Sequence, residues 1–137
     1  MKVCVIGGAN IDISAVSSEA FRHGDSNPGK IRISPGGVAR NIAHNLALLG
    51  DEVQLMTVFG NDSNGRMVYE DCKRIGIGTD FASFSETAGN PCFVSVSDRR
   101  GELVGGVSDM AAVYEITVPW LEARIECIEA SDALVAD

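Results

Sequence analysis

Histidine, cysteine, proline and tryptophan are all scarce in this chain of 137 residues, which contains 2, 4, 4 and 1 of them. The cysteines, Cys4, Cys72, Cys92 and Cys127, form no C-x-x-C pair and have no histidine close by in sequence. A structural zinc site needs four convergent ligands with short spacings, so the sequence predicts no metal site. We expect four free thiols in a reducing, cytoplasmic environment.

Long apolar runs and an excess of positive charge are also missing. No window is long enough to cross a membrane, and the N-terminus lacks the apolar core of a signal peptide. The 19 acidic residues exceed the 11 basic ones and give a formal charge of −8. Proteins that bind a phosphate backbone carry the opposite charge, so we predict neither a nucleic-acid partner nor a membrane partner.

What is present is an alternation of apolar runs with glycine stops, which predicts a single α/β domain over residues 1–137 with a parallel sheet. Buried strands are expected over residues 3–6, 52–59 and 132–137, and helices over 38–49, 65–75 and 118–130. A central parallel strand as the last element leaves one face of the sheet bare. We therefore expect the chain to be incomplete on its C-terminal side.

Two β excursions interrupt the parallel pattern. Pro28 and Gly29 predict the central positions of a tight turn between two short strands, because proline fixes φ and glycine tolerates φ > 0. Residues 93–97 and 103–107, joined at 98–101, predict a hairpin.

Asn10 and Asp12 come just past the end of the first strand. Ligands of open α/β sheets bind beyond the carboxyl ends of the strands. An amide and a carboxylate placed there can donate to and accept from vicinal hydroxyl groups, which suits a sugar. The same two side chains could instead only cap the turn, and the residues alone leave both interpretations open.

Gly36 and Gly37 stand directly before the second predicted site element, a helix that carries Asn41 one turn in. Two glycines let the backbone approach a ligand closely and leave free N–H groups at the positive helix end. A helix entrance shaped only by packing is the alternative. A dinucleotide or P-loop site is excluded, because neither G-x-G-x-x-G nor G-x-x-x-x-G-K occurs.

The small residues between positions 36 and 60 follow a known signature. Its members here are Gly36, Gly37, Ala39, Asn41, Ala43, Gly50 and Gly60. Residues 60–65 then read G-x-D-x-x-G. This pattern resembles the N-terminal part of the pfkB, or ribokinase-type, carbohydrate kinases. The resemblance implies a ribokinase-like parallel sheet flanked by helices, truncated on its C-terminal side, with a small β-sheet lid over residues 13–34 and 91–108.

The resemblance also implies ATP-dependent phosphorylation of a sugar or nucleoside hydroxyl, with ATP and Mg²⁺ as cofactors. The sugar would be held by the side chains of Asn10, Asp12 and Asn41 and by the backbone of Gly36 and Gly37. The catalytic aspartate of this family belongs to a G-A-G-D-type motif in the C-terminal half, and nothing in this chain matches it. We therefore expect the chain to supply the substrate-binding half and no catalytic residue.

A narrower resemblance is to the members of the family that phosphorylate pseudouridine. It covers residues 25–31, 35–43, 45–50 and 108–110, and it adds Arg40 and Asp109 as substrate contacts. Ribokinases carry a lysine where Val38 stands, so its absence favours a nucleoside, with pseudouridine 5′-phosphate as product. A ribokinase, an adenosine-type kinase and a non-catalytic sugar-binding or dimerisation module are the alternatives. Exposed lid edges predict pairing with a second copy.

Overall fold

A computed structural model describes residues 1–137. The strands are β1 Lys2–Ile6, β2 Asn10–Ser17, β3 Gly29–Gly36, β4 Glu52–Met56, β5 Val58–Phe59, β6 Ser83–Phe84, β7 Cys92–Ser97, β8 Leu103–Asp109 and β9 Ala133–Ala136. The helices are α1 Val38–Leu48, α2 Ser63–Arg74, α3 Val118–Glu122 and α4 Ile125–Glu129, with a 3-10 helix at Ala111–Glu115. Each helix is too short or too polar to span a bilayer.

The central sheet has the order β4-β1-β9, and both of its pairings are parallel. Its middle strand, β1, is buried on both faces because successive side chains point to opposite sides. Val3 and Val5 join the core that includes Ala43 of α1 and Val68 of α2. Cys4 and Ile6 belong to a second cluster that also contains Cys127 of α4. The two clusters confirm the prediction of an α/β layer structure.

The small sheet has the order β3-β2-β7-β8, and β2 follows β1 after only residues 7–9. The pairing of β2 with β7 is parallel, and the two outer pairings are antiparallel. The predicted hairpin is confirmed as β7 and β8. Most residues of the small sheet fall within the two segments that the family resemblance marks as a lid.

The prediction of a tight turn at Pro28 and Gly29 is wrong. Gly29 already belongs to β3, where it pairs with Ser17, and residues 18–28 form the connection. The Pro28 carbonyl accepts a hydrogen bond from the Ser18 backbone N–H at 2.9 Å, so it closes the base of a longer loop.

The strand predicted over residues 52–59 divides at Thr57. Up to Met56 the backbone pairs with β1, whereas the Thr57 carbonyl accepts from the Ser83 N–H at 3.0 Å and starts the pairing of β5 with β6. The residue at the change of partner, Thr57, is β-branched and of a type common in strands, which explains why the sequence predicts one continuous strand.

The helix predicted over residues 118–130 is two short helices, although its start is confirmed. Thr117 is the N-cap, and its hydroxyl accepts from the Trp120 N–H at 3.4 Å. The break follows from Arg124, whose side chain donates to the Trp120 carbonyl at 3.0 Å and whose N–H bonds the Leu121 carbonyl. The final strand, predicted as buried and central, is an edge strand in which Leu134 is 51% exposed.

Residues 60–65, which read G-x-D-x-x-G, follow β5 and begin α2. Hydrogen bonds also connect them to Asn90, two residues before β7 of the small sheet. Asp62 is the N-cap of α2, and its carboxylate accepts from Gly65 N at 2.8 Å and from Asn90 N at 2.9 Å. The buried Asn90 amide accepts from Gly60 N at 3.0 Å and donates to the Ala9 carbonyl at 3.2 Å. These contacts satisfy buried polar groups of four separate segments.

Gly65→Ala tests this junction, because helix propensity predicts a gain in the free energy of unfolding and packing predicts a loss. Alanine in a helix is ordinarily about 1 kcal/mol more favourable than glycine. A Cβ at position 65, however, would lie 1.9 Å from the Gly60 carbonyl oxygen. We expect a net loss of about 3 kcal/mol in the free energy of unfolding, measured by urea denaturation. Gly105→Ala, whose Cβ would meet nothing within 4 Å, is the matched control and should change little.

Candidate functional site

A cleft of about 340 Å³ opens at the carboxyl ends of the central strands. Its lining comprises Gly8, Asn10, Gly37, Val38, Met110, Val113, Tyr114 and Asp137. The turn after β1, the start of β2, the entrance of α1 and the 3-10 helix all meet there. This is the edge at which an open α/β sheet offers a ligand the ends of several elements at once.

Asn10 and Asp12 are the first and third residues of β2, and they lie on the same face of that strand. The Asn10 Oδ1 atom is buried and has no hydrogen-bond partner. The Asp12 carboxyl is half-buried and makes no ion pair or hydrogen bond, and burial raises its pKa above the ordinary aspartate value. The buried, unpaired Asn10 oxygen costs free energy in the absence of a ligand, whereas the half-buried Asp12 carboxyl keeps partial contact with water.

Gly36 and Gly37 both stand where a side chain would collide with a neighbour, the Asp12 carboxylate at Gly36 and the Gly8 backbone at Gly37. Gly36 pairs with Asn10, and a Cβ there would lie 2.0 Å from the Asp12 Oδ2 atom. Gly37 is the N-cap of α1 with φ +94°, and its Cβ would lie 2.5 Å from the Gly8 carbonyl oxygen. With no side-chain cap on α1, the positive end of the helix faces the region of the two free acceptors.

Asn41 is exposed on the first turn of α1, and its side chain is held by Arg40. The Arg40 Nη1 atom donates to the Asn41 Oδ1 atom at 3.0 Å. Arg40 itself is buried and turns towards α2, where its Nη2 atom pairs with Asp71. Burial raises the pKa of the Asp71 carboxyl, but hydrogen bonds from Arg74 and Arg40 outweigh it and hold that pKa below the ordinary value.

Asp12, Gly36, Arg40 and Asn41 do not line the cleft itself, and neither does Asp109. It pairs with Cys92, whereas Asp12 pairs with the next residue of β7, Phe93. Because neighbouring side chains alternate, Asp12 and Asp109 point to opposite faces of the small sheet. The Asp109 Oδ1 atom accepts from the Ala111 N–H at 3.1 Å and so opens the 3-10 helix. Burial, followed by the negative charges of Asp12 and Asp109, raises the pKa of the Cys92 thiol.

Six lining residues are not among the predicted site residues: Gly8, Val38, Met110, Val113, Tyr114 and Asp137. Three of them belong to the short 3-10 segment and its N-cap, which carries no periodic signal that sequence reasoning could use. Tyr114 is 80% exposed, which is unusual for a tyrosine outside a binding surface. Asp137 follows β9, so the rule that ligands bind at strand ends could have identified it.

The carboxylates of the chain do not converge. No group of three or more histidine, cysteine, aspartate or glutamate side chains lies close enough together to hold a metal ion. The cleft instead combines free acceptors, an uncapped helix end and one apolar wall. That combination suits a neutral ligand that carries several hydroxyl groups and an apolar part.

The chain matches the pfkB family of carbohydrate kinases over residues 1–132. It is 37% identical over 135 residues to pseudouridine kinase of Escherichia coli (strain K12), which covers 98% of this chain and 43% of that protein. It is 31% identical to guanosine-inosine kinase of Exiguobacterium acetylicum, with 99% of this chain and 45% of that protein covered.

Among solved structures, a carbohydrate kinase from Agrobacterium tumefaciens superposes with a TM-score of 0.90 at 33% identity. That match covers 99% of this chain and 45% of the other. The chain thus spans less than half the length of the relatives it matches. The predicted ribokinase-like α/β fold is confirmed, and the chain belongs to the pfkB family of carbohydrate kinases.

Proposed function

We propose that this chain is the substrate-binding part of an ATP-dependent kinase that phosphorylates a nucleoside, with pseudouridine as the substrate and its 5′-phosphate as the product. The observation that carries the proposal is the pair of free acceptors, Asn10 Oδ1 and the Asp12 carboxylate, beside the uncapped start of α1. Hydroxyl groups of a ribosyl ring would satisfy both acceptors. The similarity to pseudouridine kinase supports the same substrate.

The roles of the site residues follow from their donors and acceptors. Asp12 accepts from a sugar hydroxyl, and the Asn41 amide reaches the ring from the α1 side. The close backbone at Gly36 and Gly37 admits the sugar against the helix end. The small sheet, as a lid over residues 13–34 and 91–108, would exclude water from this complex.

ATP and Mg²⁺ need groups that this chain does not bring together. Its carboxylates form no cation cluster, and its glycine-rich turns lack phosphate-loop spacing. We assign no catalytic residue to the chain, and we propose that the groups for phosphoryl transfer correspond to the part of the relatives' length that this chain does not span. The role of this part of the enzyme is therefore to select and orient the acceptor.

The apolar wall of the cleft favours a nucleoside over a free pentose. Val38 is 58% exposed at the mouth of the cleft, and Met110, Val113 and Tyr114 continue the same surface. A free pentose has hydroxyl groups on every side and leaves such a surface in contact with water. A nucleobase has flat apolar faces, and stacking on an aromatic ring is worth about 1–3 kcal/mol per base.

Thermal unfolding with added ligand tests the substrate. Pseudouridine at a hundred times its dissociation constant should add about 2.7 kcal/mol to the free energy of unfolding and raise the melting temperature by several degrees. Ribose and adenosine at the same concentration serve as controls and should raise it less. A cooperative melt that none of the three ligands moves, or that ribose moves most, contradicts the substrate proposed for this chain.

The substitution Asp12→Asn distinguishes the effect of the ionised carboxylate on folding stability from its effect on ligand binding. Burial raises the pKa of Asp12, so its ionised form destabilises the folded state above that pKa. The substitution should therefore increase stability at neutral pH, and the gain should disappear as the pH falls below about 3.9, the unfolded value.

The same substitution should weaken pseudouridine binding about 10- to 100-fold, because a charge-assisted hydrogen bond is lost. Urea denaturation between pH 3.5 and 8 and calorimetric titration at pH 7 measure the two effects. Glu86→Gln, at an exposed position without a partner, is the control for removal of one charge. A substitution at Asp12 that leaves affinity unchanged removes this residue from the proposed site.

We also propose that two copies associate through the small sheet. Register pairing puts polar residues such as Ser14 and Ser95 on the face of Asp12, whereas the other face is apolar. The apolar face includes Ile31, Ile33 and Val107, which are 71%, 57% and 73% exposed. Both outer strands, β3 and β8, also have one unpaired edge. An exposed apolar sheet face of this kind is typical of an interaction surface.

Val107→Lys should disrupt that association, because a charge would be buried in the apolar contact. Sedimentation velocity should show a dimer for the unmodified chain and a monomer for the variant. Leu49→Lys, which introduces the same charge at an apolar residue 80% exposed after α1, should leave the dimer intact. A monomeric unmodified chain, or equal effects of the two variants, contradicts the proposed interface.

A further inference from the structure

Asp71 on α2 is the buried end of a series of contacts that leads to Asn41 on α1. The Asp71 carboxylate accepts from the Arg40 Nη2 atom, and the Arg40 Nη1 atom donates to Asn41 Oδ1 at 3.0 Å. Arg40 is 6% exposed and the Asp71 side chain 12% exposed, so both groups of the ion pair are shielded from water. Asn41, by contrast, is exposed.

The contact with Arg40 fixes which end of the Asn41 amide is available. A guanidinium group has only donors, so the atom of Asn41 that faces it must be the carbonyl oxygen. The NH₂ end is then directed away from Arg40, where it can donate to a ligand. Asp12 offers an acceptor, so the two residues together suit a vicinal diol in which one hydroxyl group donates and its neighbour accepts.

Arg40 can hold Asn41 in this way only if its own guanidinium is fixed. Asp71 provides the one carboxylate that pairs with it, from the facing helix. The other oxygen of Asp71 pairs with Arg74, whose side chain is 73% exposed. Without the charge of Asp71, the buried guanidinium would lose its counter-ion, and its remaining contacts, to Asn41 Oδ1 and to the His44 Nδ1 atom at 3.4 Å, both involve the Nη1 atom alone.

We propose that Asp71 is a positioning residue for sugar binding, which acts through Arg40 to keep the Asn41 amide turned with its NH₂ group towards the ligand. This inference rests on the proposed function of the site. It adds a residue 30 positions beyond Asn41 in sequence, on a helix that contributes no residue to the lining of the cleft.

Asp71→Asn tests the proposal with two independent measurements on the full chain. The first is the side-chain amide signal of Asn41 in ¹⁵N-resolved NMR spectra, assigned from its absence in Asn41→Asp. This signal should shift and lose its heteronuclear NOE in Asp71→Asn, because the amide becomes mobile. The second is the dissociation constant of pseudouridine, which should rise about five- to tenfold, the equivalent of one misplaced hydrogen bond.

Arg74→Gln is the matched control, because it removes the other partner of Asp71 and leaves the contact with Arg40 in place. It should leave both the Asn41 signal and the affinity unchanged. Asp71→Glu retains the charge, and it should restore most of the affinity that Asp71→Asn loses.

Asn41→Asp provides the opposite test, because it keeps an acceptor for Arg40 and removes the donor for the ligand. Its melting temperature should be equal to or above that of the unmodified chain, while pseudouridine affinity falls. A structural role alone would lower the melting temperature of Asp71→Asn with the Asn41 signal and the affinity unchanged, and that outcome overturns the proposal. If the unmodified chain binds no sugar, the proposed function fails, and the NMR measurement still decides whether Asp71 orients Asn41.

Discussion

The site depends on a backbone contact that leaves no room for side chains. The turn after β1 and the entrance of α1 approach each other so closely that a Cβ at Gly37 would overlap the Gly8 carbonyl, and one at Gly7 would lie 2.8 Å from the Ala39 Cβ atom. The Arg40 N–H donates to the same Gly8 carbonyl at 3.3 Å. This contact fixes α1 relative to β2, and therefore the uncapped helix end relative to the acceptors on that strand.

Some polar side chains around this contact have hydrogen-bond partners in the protein and others have none. The difference distinguishes groups that stabilise the fold from groups that are candidates for binding a ligand. At the junction of α2 with the small sheet, the carboxylate of Asp62 and the amide of Asn90 each bond two or more backbone groups. At the cleft, the buried Asn10 oxygen has no hydrogen-bond partner, and the half-buried Asp12 carboxyl two residues further along β2 makes no ion pair. Buried polar groups are ordinarily paired, so unpaired ones at a strand end are the stronger sign of a ligand site.

Much of the fold could be predicted from the sequence because its signals are local. Continuous apolar runs, helical spacing and glycine stops are enough for β1, α1, α2 and the β7–β8 hairpin. The division of the strand at Thr57 could not be predicted, because the change of partner is made by the backbone carbonyl of one residue whose side chain is of a type common in strands. The break before α4 likewise depends on one side chain, Arg124, that returns to the helix backbone.

The candidate site was predictable to the extent that its residues lie at strand ends and helix starts. Asn10 and Gly37 line the cleft, whereas local sequence patterns have no means of linking Arg40 to a residue on another helix. Tyr114 and its neighbours were missed because one turn of 3-10 helix has no period to detect. What sequence reasoning lacked was tertiary contact, which pairs residues far apart in the chain.

The short connection between β1 and β2 has a mechanical consequence. Only residues 7–9 separate the core strand from the eight residues of β2, so this connection is where a pivot for the small sheet would lie. With about 3.3 Å per residue, β2 acts as a lever arm of about 26 Å. A rotation of about 10° at the pivot would then carry the far tip through about 4–5 Å while residues near the pivot hardly moved. Asn10 and Asp12 lie beside the pivot, so such a movement would open the tip widely and leave the proposed sugar-binding groups almost in place.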